Sequence, residues 1–392
     1  MKCIKDELNL SEKKILLRLD LNVPLDNGKI TDTTRIDKII PTIIFLLKNN
    51  AKIIILSHIG RPKGKIVNAL SLKPVCENLK SKINENVTLI TRNLKKMNSA
   101  DLFNNQNEKI LMFENLRFYE EEEKNDNEFA KHLASLADIY VNEAFSCSHR
   151  THASIFEITK FLPSFAGLQL KLEIDALSKI TSEIKKPVTC IIGGSKISTK
   201  INIIKNLIPK FNNIIIVGAM ANNIIRYKGH NIGKSMQEDN CDKIIEEIFS
   251  LSIKENCKII YPEDVTVGKS LSGSPEIKGL NDIFKDELIL DIGPKSIKNI
   301  NNIIEKSNTI LWNGPAGYFE NPNFAKGSLE IAKKIIEMNK TNTIYSVAGG
   351  GDTVALLNSM DEINNFDFVS TAGGAFLEYL EGKELPGIKA LN

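Results

Sequence analysis

Arginine is scarce in this 392-residue chain and unevenly placed: Arg18, Arg35, Arg61, Arg92, Arg117 and Arg150 precede residue 151, and only Arg226 follows. Lysine supplies the generic surface charge but cannot copy a planar, bidentate guanidinium, so each arginine is a candidate for a specific anion contact. His58 stands near Arg61, and His149 precedes Arg150. Such a set would hold a small polyanion carrying phosphate and carboxylate groups. A second set lies in the other half, where Gly349, Gly350, Gly351, Asp352 and Thr353 follow residues of strand propensity and precede an apolar run. Glycine allows close backbone approach or a positive φ. Asp352 and Thr353 fall where a helix offers unpaired N–H groups and the positive end of its dipole. That corner suits phosphate; Asp352 suits instead the Mg²⁺ that accompanies a nucleotide; and a capped turn without a ligand is the plain alternative. Gly193 and Gly194 open a related segment in which Lys196 and Lys200 are four apart. On one face of a helix's opening turn, two such lysines suit a di- or triphosphate. His149 and His152 would need a third metal ligand, and none is near in sequence.

The elements that must position these residues alternate. Apolar stretches at 15–19, 51–56, 109–113 and 139–141 predict four strands, each followed by a loop that carries cations or leads to one. Asp20 and Asn22 are one strand period apart and are expected on the same side. Residues 31–37 read as a helix entry capped by Asp32 or Thr33, with Arg35 in the first turn. A cation there opposes the helix dipole, which is understood if an anionic ligand docks beside it, or if Asp37 or Asp32 pairs with it. The acidic run 120–123 reads as a solvated face, and 166–184 as one long helix bridging the halves. The second half repeats the alternation with strands expected at 188–192, 214–217, 309–311, 344–347 and 368–370. Strands alternating with helices make parallel sheets, whose ligands bind beyond the carboxyl ends of the strands. The segment 229–235 imitates a Walker A loop but is one residue short between its glycines, and no GxGxxG appears. A nucleotide site here lies outside both common fingerprints, and a nicotinamide-dependent dehydrogenase is excluded.

Composition sets the frame. The length suits two domains. Hydrophobic content of 42% and charged content of 25% are those of a globular protein, and a net charge of +3 gives no argument for nucleic acid or a membrane surface. Six scattered cysteines without a CxxC pair point to reduced thiols in a cytosol. The N-terminus carries early acids and does not read as a signal peptide, and no stretch approaches the roughly 20 apolar residues of a membrane span.

The motifs Arg18-Leu-Asp-Leu-Asn-Val-Pro, Ser57-His-Ile-Gly-Arg-Pro, Glu114-Asn-Leu-Arg-Phe, Ser148-His-Arg-Thr-His-Ala-Ser, Gly193-Gly-Ser-Lys-Ile-Ser-Thr-Lys, Leu311-Trp-Asn-Gly-Pro, Ala348-Gly-Gly-Gly-Asp-Thr and Leu380-Glu-Gly-Lys-Glu-Leu-Pro-Gly follow one another along essentially the whole chain. Together they resemble the phosphoglycerate kinase family. The resemblance implies two doubly wound, Rossmann-like parallel-sheet α/β domains: 1–165 binding phosphoglycerate, 187–375 binding nucleotide, a hinge helix at 166–186, and 376–392 returning to the first domain. It implies reversible phosphoryl transfer between ATP and the carboxylate of 3-phosphoglycerate, with ADP and 1,3-bisphosphoglycerate as products, in a cytoplasmic monomer using Mg²⁺. By resemblance Asp20, Leu21, Asn22, Arg35, His58, Ile59, Gly60, Arg61, Arg117 and Arg150 bind phosphoglycerate. Lys196, Lys200, Gly218, Asn313, Glu320 and Gly349 to Thr353 bind the nucleotide, with Asp352 toward Mg²⁺, and Arg35 and Lys200 contact the transferring group. Ala219, Ala372 and Phe376 depart from residues common in the family and bear on fine geometry and closure. The alternative is a catalytically silent binding protein of the same fold.

Overall fold

The computed structural model describes every residue except Gln106 and Asn342. The chain forms two compact units, Met1–Ile174 with Glu384–Asn392, and Asp175–Lys383.

In the first unit six strands pair in the order Val87–Ile90, Ile110–Phe113, Lys52–Leu56, Lys14–Leu19, Ile139–Glu143, Ser164–Ala166. All neighbours run parallel. The strands are almost wholly apolar because a parallel sheet is covered on both faces. The helix Thr34–Lys48 covers one face with Ile36, Ile39, Ile43 and Leu46, spaced by threes and fours. Each such buried side chain contributes about 1.5–3 kcal/mol. Strand order reverses between Lys14–Leu19 and Ile139–Glu143, and beyond the carboxyl ends at such a reversal parallel sheets bind ligands. The chain terminus lies beside one of these loops: Gly387 N–H donates to the Ser148 carbonyl at 2.8 Å.

The second unit carries a six-stranded parallel sheet in the order Lys258–Ile260, Asn213–Ile216, Val188–Ile192, Thr309–Asn313, Tyr345–Gly349, Phe368–Ser370. Its reversal falls between Val188–Ile192 and Thr309–Asn313, so Gly193 and Gly314 meet at the switch point. A three-stranded antiparallel sheet of Glu276–Gly279, Asp264–Gly268 and Leu288–Ile292 adjoins it. Trp312 is fully buried in the core, its indole N–H satisfied by the Gly314 carbonyl at 2.8 Å.

Two sequence expectations fail here, the second in part. Residue 166 does not begin a helix: Ala166 pairs with Asn142 as the end of an edge strand, and the helix is Leu168–Thr181. Its start is set by the buried Glu143 carboxylate, which accepts from Gln169 N–H at 3.0 Å and Leu170 N–H at 2.8 Å. That carboxylate caps the orphan donors of the first turn. The run Glu120–Glu123 is a solvated face only in part: Glu120 and Glu123 are exposed, but Glu122 is fully buried. No helix among the described residues is long and apolar enough to cross a membrane.

Candidate active site

In the first unit the loops after the central strands bring most of the expected residues together. Asp20 and Asn22 lie just past the strand end, so strand alternation does not apply to them. Asp20 instead turns back to accept from Asn22 N–H at 3.3 Å. It also accepts from Ser146 Oγ at 2.5 Å and forms an ion pair with Arg35 Nη1 at 2.8 Å. Arg35 donates further to the Asn22 carbonyl at 3.2 Å. Neither sequence-neighbouring acid is the partner: Asp32 accepts from Thr34 N–H at the helix start, and Asp37 binds Thr33 and Lys82. Asn22 Oδ1 accepts from Gly60 N–H at 2.9 Å, tying the first loop to the second. Leu21 and Ile59 are buried and act through backbone: Leu21 N–H donates to Ser57 Oγ, and the Ile59 carbonyl accepts from Asn115. Gly60 sits at φ +64, and a side chain there would meet Leu70 at 2.7 Å.

Arg117 is almost fully buried and donates to the Gly60 carbonyl at 2.8 Å, with Glu123 3.4 Å from its Nε. Its Nε makes that ion pair without an aligned hydrogen bond. Burial, foremost, pulls its pKa down, and the neighbouring Arg150 and Arg18 act in the same direction. Arg150 donates from Nε to His149 Nε2 at 3.2 Å. His58 is buried and its pKa lies well below 6.5, because of burial first and then Arg18, Arg117, His152 and Arg150. Arg61 is exposed and makes no hydrogen bond or ion pair among the described residues. Like charges gathered this closely beyond the strand ends favour an anion.

The second unit shows two adjoining cavities. One, of about 340 Å³, is lined by Gly193, Gly194, Ser195, Lys200, Asn313, Gly314 and Gly350 to Thr353, with Gly373 and Gly374. The other, of about 740 Å³, is mostly apolar and includes Gly218, Ala219, Met236, Leu290, Tyr318 and Glu320. They share Gly194, Ser195 and Asp352. Gly350, at φ +97, caps the helix Gly351–Ser359, whose free N–H groups face the smaller cavity. Lys200 donates to Asn313 Oδ1 at 2.8 Å, and Asn313 Nδ2 donates to the Gly349 carbonyl at 2.7 Å. Burial lowers the Lys200 pKa. Thr353 is buried and lines the smaller cavity, and its hydroxyl accepts from Gly314 N–H at 2.7 Å, which ties the two loops together.

Lys196 and Lys200 are not on a helix turn, because the helix is Ile201–Leu207 and both precede it. Lys200 lines the smaller cavity, whereas Lys196 lies near Glu238, whose carboxylate Ser198 binds. Among the departures, Ala219 lines the apolar cavity, Ala372 is buried, and the fully buried Phe376 ring would meet a Cβ on Gly349 at 2.6 Å. The Walker-like segment is structural: Gly233 at φ +59 lies so close to Phe284 and Glu287 carbonyls that no side chain fits. Residues missed by sequence reasoning include Ser146, Ser154 and Glu122 in the first unit and Asp291 in the larger cavity. Nothing in their spacing marks them; on the nucleotide side the Gly373–Gly374 pair after a strand was a signal not turned into a site residue.

Fold and cavities together define an α/β protein with a cluster of cations beyond the strand ends of one unit and, in the other, a glycine-lined cavity of the kind that binds phosphates. The family model "Phosphoglycerate kinase" matches residues 5–383. The phosphoglycerate kinase of Wolbachia pipientis wMel is 44% identical over 396 residues, covering 98% of this chain and 97% of that one. That of Bartonella bacilliformis is 42% identical over 388 residues, covering 98% and 97%. Among solved structures, phosphoglycerate kinase from Coxiella burnetii matches with a TM-score of 0.90 at 37% identity, covering 98% of this chain and 97% of that one. The Pyrococcus horikoshii enzyme matches at 0.82 and 26%, covering 100% and 98%. The chain belongs to the phosphoglycerate kinase family.

Proposed function

We propose that this chain catalyses reversible transfer of the ATP γ-phosphoryl group to the carboxylate of 3-phosphoglycerate, giving ADP and 1,3-bisphosphoglycerate, and in glycolysis runs toward ATP. The observation that carries the reading is the pair of adjoining cavities in the second unit: one apolar and large enough for a base and ribose, the other lined by glycines, Lys200 and a helix N-terminus. The first unit supplies the other ligand's charges through Arg35, Arg61, Arg117 and Arg150, with His58 as a neutral donor beside Asp20, Asn22 and the Gly60 backbone.

The carboxylate acceptor is ionised at neutral pH, so no general base is required. Catalysis then rests on positioning and on neutralising charge in the transferring group. Arg35 is held at Asp20 with a guanidinium face directed by two acceptors, and Lys200 by Asn313. We assign both to the transferring phosphoryl group. The N-terminal amides of Gly351–Ser359 stabilise the nucleotide's phosphates. Lys196 enters this reading as an exposed outer cation, and Gly218 and Glu320 as walls of the apolar cavity. Asp352 is exposed at the shared rim, and no cluster of three or more acidic, histidine or cysteine ligands occurs among the described residues. A single carboxylate fits Mg²⁺, which keeps waters and phosphate oxygens as its other ligands. When bound there, the ion neutralises phosphate charge. The same reading places hinge bending at 166–186 and takes the enzyme as a cytoplasmic monomer.

A coupled assay of ATP- and Mg²⁺-dependent phosphorylation of 3-phosphoglycerate tests the proposal. Turnover of roughly 1–1000 per second is expected. Binding of both ligands without turnover would instead support a silent protein of this fold.

A further inference from the structure

The acidic run 120–123 leaves one carboxylate that no surface role explains. Glu122 is fully buried. It accepts from Ser154 N–H at 2.9 Å through Oε2 and from Ser154 Oγ at 2.6 Å through Oε1. Ser154 Oγ in turn accepts from Arg18 Nε at 2.8 Å, and Arg18 Nη2 lies 3.9 Å from Glu122 Oε1. Arg18 is fully buried as well, with Nη1 donating to the Leu19 carbonyl at 2.5 Å. Its remaining amino group meets His58 Nδ1 at 3.1 Å.

This chain of contacts fixes a chemical state. A guanidinium only donates, so His58 Nδ1 must accept, and the ring's hydrogen must sit on Nε2. Protonating Nδ1 would set two cations against each other at that distance. Arg117, His152 and Arg150 push the same way, and the one carboxylate in the network, Glu122, lies against Arg18 and 3.9 Å from His152 Nδ1. Burial, followed by the same arginines, takes His152 itself down to about 3, so it is neutral beside them. Arg18 is therefore not one of the cations offered to a ligand: its charge is matched internally by Glu122, and its geometry is spent on holding the imidazole.

We propose that Glu122 is a positioning residue of the phosphoglycerate pocket, acting through Ser154 and Arg18 to present His58 with its single ring hydrogen on Nε2. This rests on the assignment of His58 to phosphoglycerate. A pocket so arranged gains a directional donor whose protonation does not change near pH 6.5, while the surrounding arginines carry the charge.

The test combines kinetics with long-range ¹H–¹⁵N spectra of the imidazoles in the full-length protein. In the wild type, His58 is expected as a single tautomer with the hydrogen on Nε2, unchanged from pH 6 to 8. Glu122→Gln keeps the shape but removes the charge and one acceptor oxygen. It is expected to raise the KM for 3-phosphoglycerate at least tenfold, to leave the KM for Mg-ATP within twofold, and to mix the His58 tautomers. Glu122→Asp should recover part of the loss. A wild-type His58 carrying its hydrogen on Nδ1, or titrating near 6.5, overturns the proposal whether or not any variant folds. So does turnover by Glu122→Gln with unchanged constants. Absence of wild-type turnover on 3-phosphoglycerate overturns the functional reading itself and, with it, the assignment of this network to its pocket.

Discussion

The two candidate ligand regions are built in opposite ways. In the first unit the charges sit on side chains, and each described partner is a protein acceptor: Arg35 on Asp20 and the Asn22 carbonyl, Arg117 on the Gly60 carbonyl, Arg150 on His149. In the second unit one lysine is supported by backbone: Gly350 at φ +97, the N-terminus of Gly351–Ser359, and Asn313 clamping Lys200 to the loop. A small ligand with a carboxylate and a phosphate is recognised by fixed guanidinium forks. A nucleotide's phosphates are recognised by amide N–H groups whose direction the fold sets. Substitutions should therefore fail differently: through charge and turnover in the first region, through loop shape and affinity in the second.

The largest expected effect is on the side-chain region. Arg35→Ala should cut turnover by roughly 100–1000-fold, the range for loss of one transition-state donor, with ATP affinity within twofold by calorimetry. Near-normal turnover would remove Arg35 from the chemistry and erase the contrast between the regions.

Next is Asp291, which lines the apolar cavity and accepts from Gly327 and Ile292 N–H groups. Burial raises its pKa to about 7. A carboxyl raised above its unfolded value contributes most below the unfolded pKa, and that contribution is lost as pH rises through the folded one. The second unit should therefore lose stability between about pH 4 and 7, by at most about 4 kcal/mol. Asp291→Asn should flatten this slope in denaturant titrations, whatever it does to absolute stability. A wild-type curve without the slope would mean the carboxyl stays ionised.

Smaller again is Gly350→Ala. It forces a side chain to φ +97, with its Cβ 2.6 Å from Asn313 Nδ2. A loss of about 1–2 kcal/mol in stability is expected, with weaker ADP binding and an unchanged KM for 3-phosphoglycerate. The smallest effect is expected for Asp352→Asn: a several-fold rise in the Mg²⁺ needed for half-maximal rate, with phosphoglycerate binding intact. An unchanged Mg²⁺ dependence would take the ion away from Asp352.

The same contrast explains what could be read from the sequence. Strands were legible because parallel sheets covered on both faces leave apolar runs such as Lys52–Leu56 and Asn213–Ile216. The glycine loop at 349–351 was legible because backbone sites need residues without Cβ. Partners were not legible, because pairing is tertiary. Arg35 faces an aspartate fifteen residues away rather than Asp37 or Asp32, and Glu122 finds Ser154 across the fold. Lys196 and Lys200 carried a helical spacing that no helix uses, since the turn before Ile201 separates them. Ala166 looked helical until Glu143, buried on the neighbouring strand, set the cap at the next turn.

The most direct test of phosphoryl transfer to a carboxylate is ³¹P NMR of the protein with ATP, Mg²⁺ and 3-phosphoglycerate. An acyl-phosphate resonance should grow as ADP forms and vanish on adding hydroxylamine. ADP appearing with inorganic phosphate alone from the first time point, or ATP left unchanged, would contradict the assigned reaction.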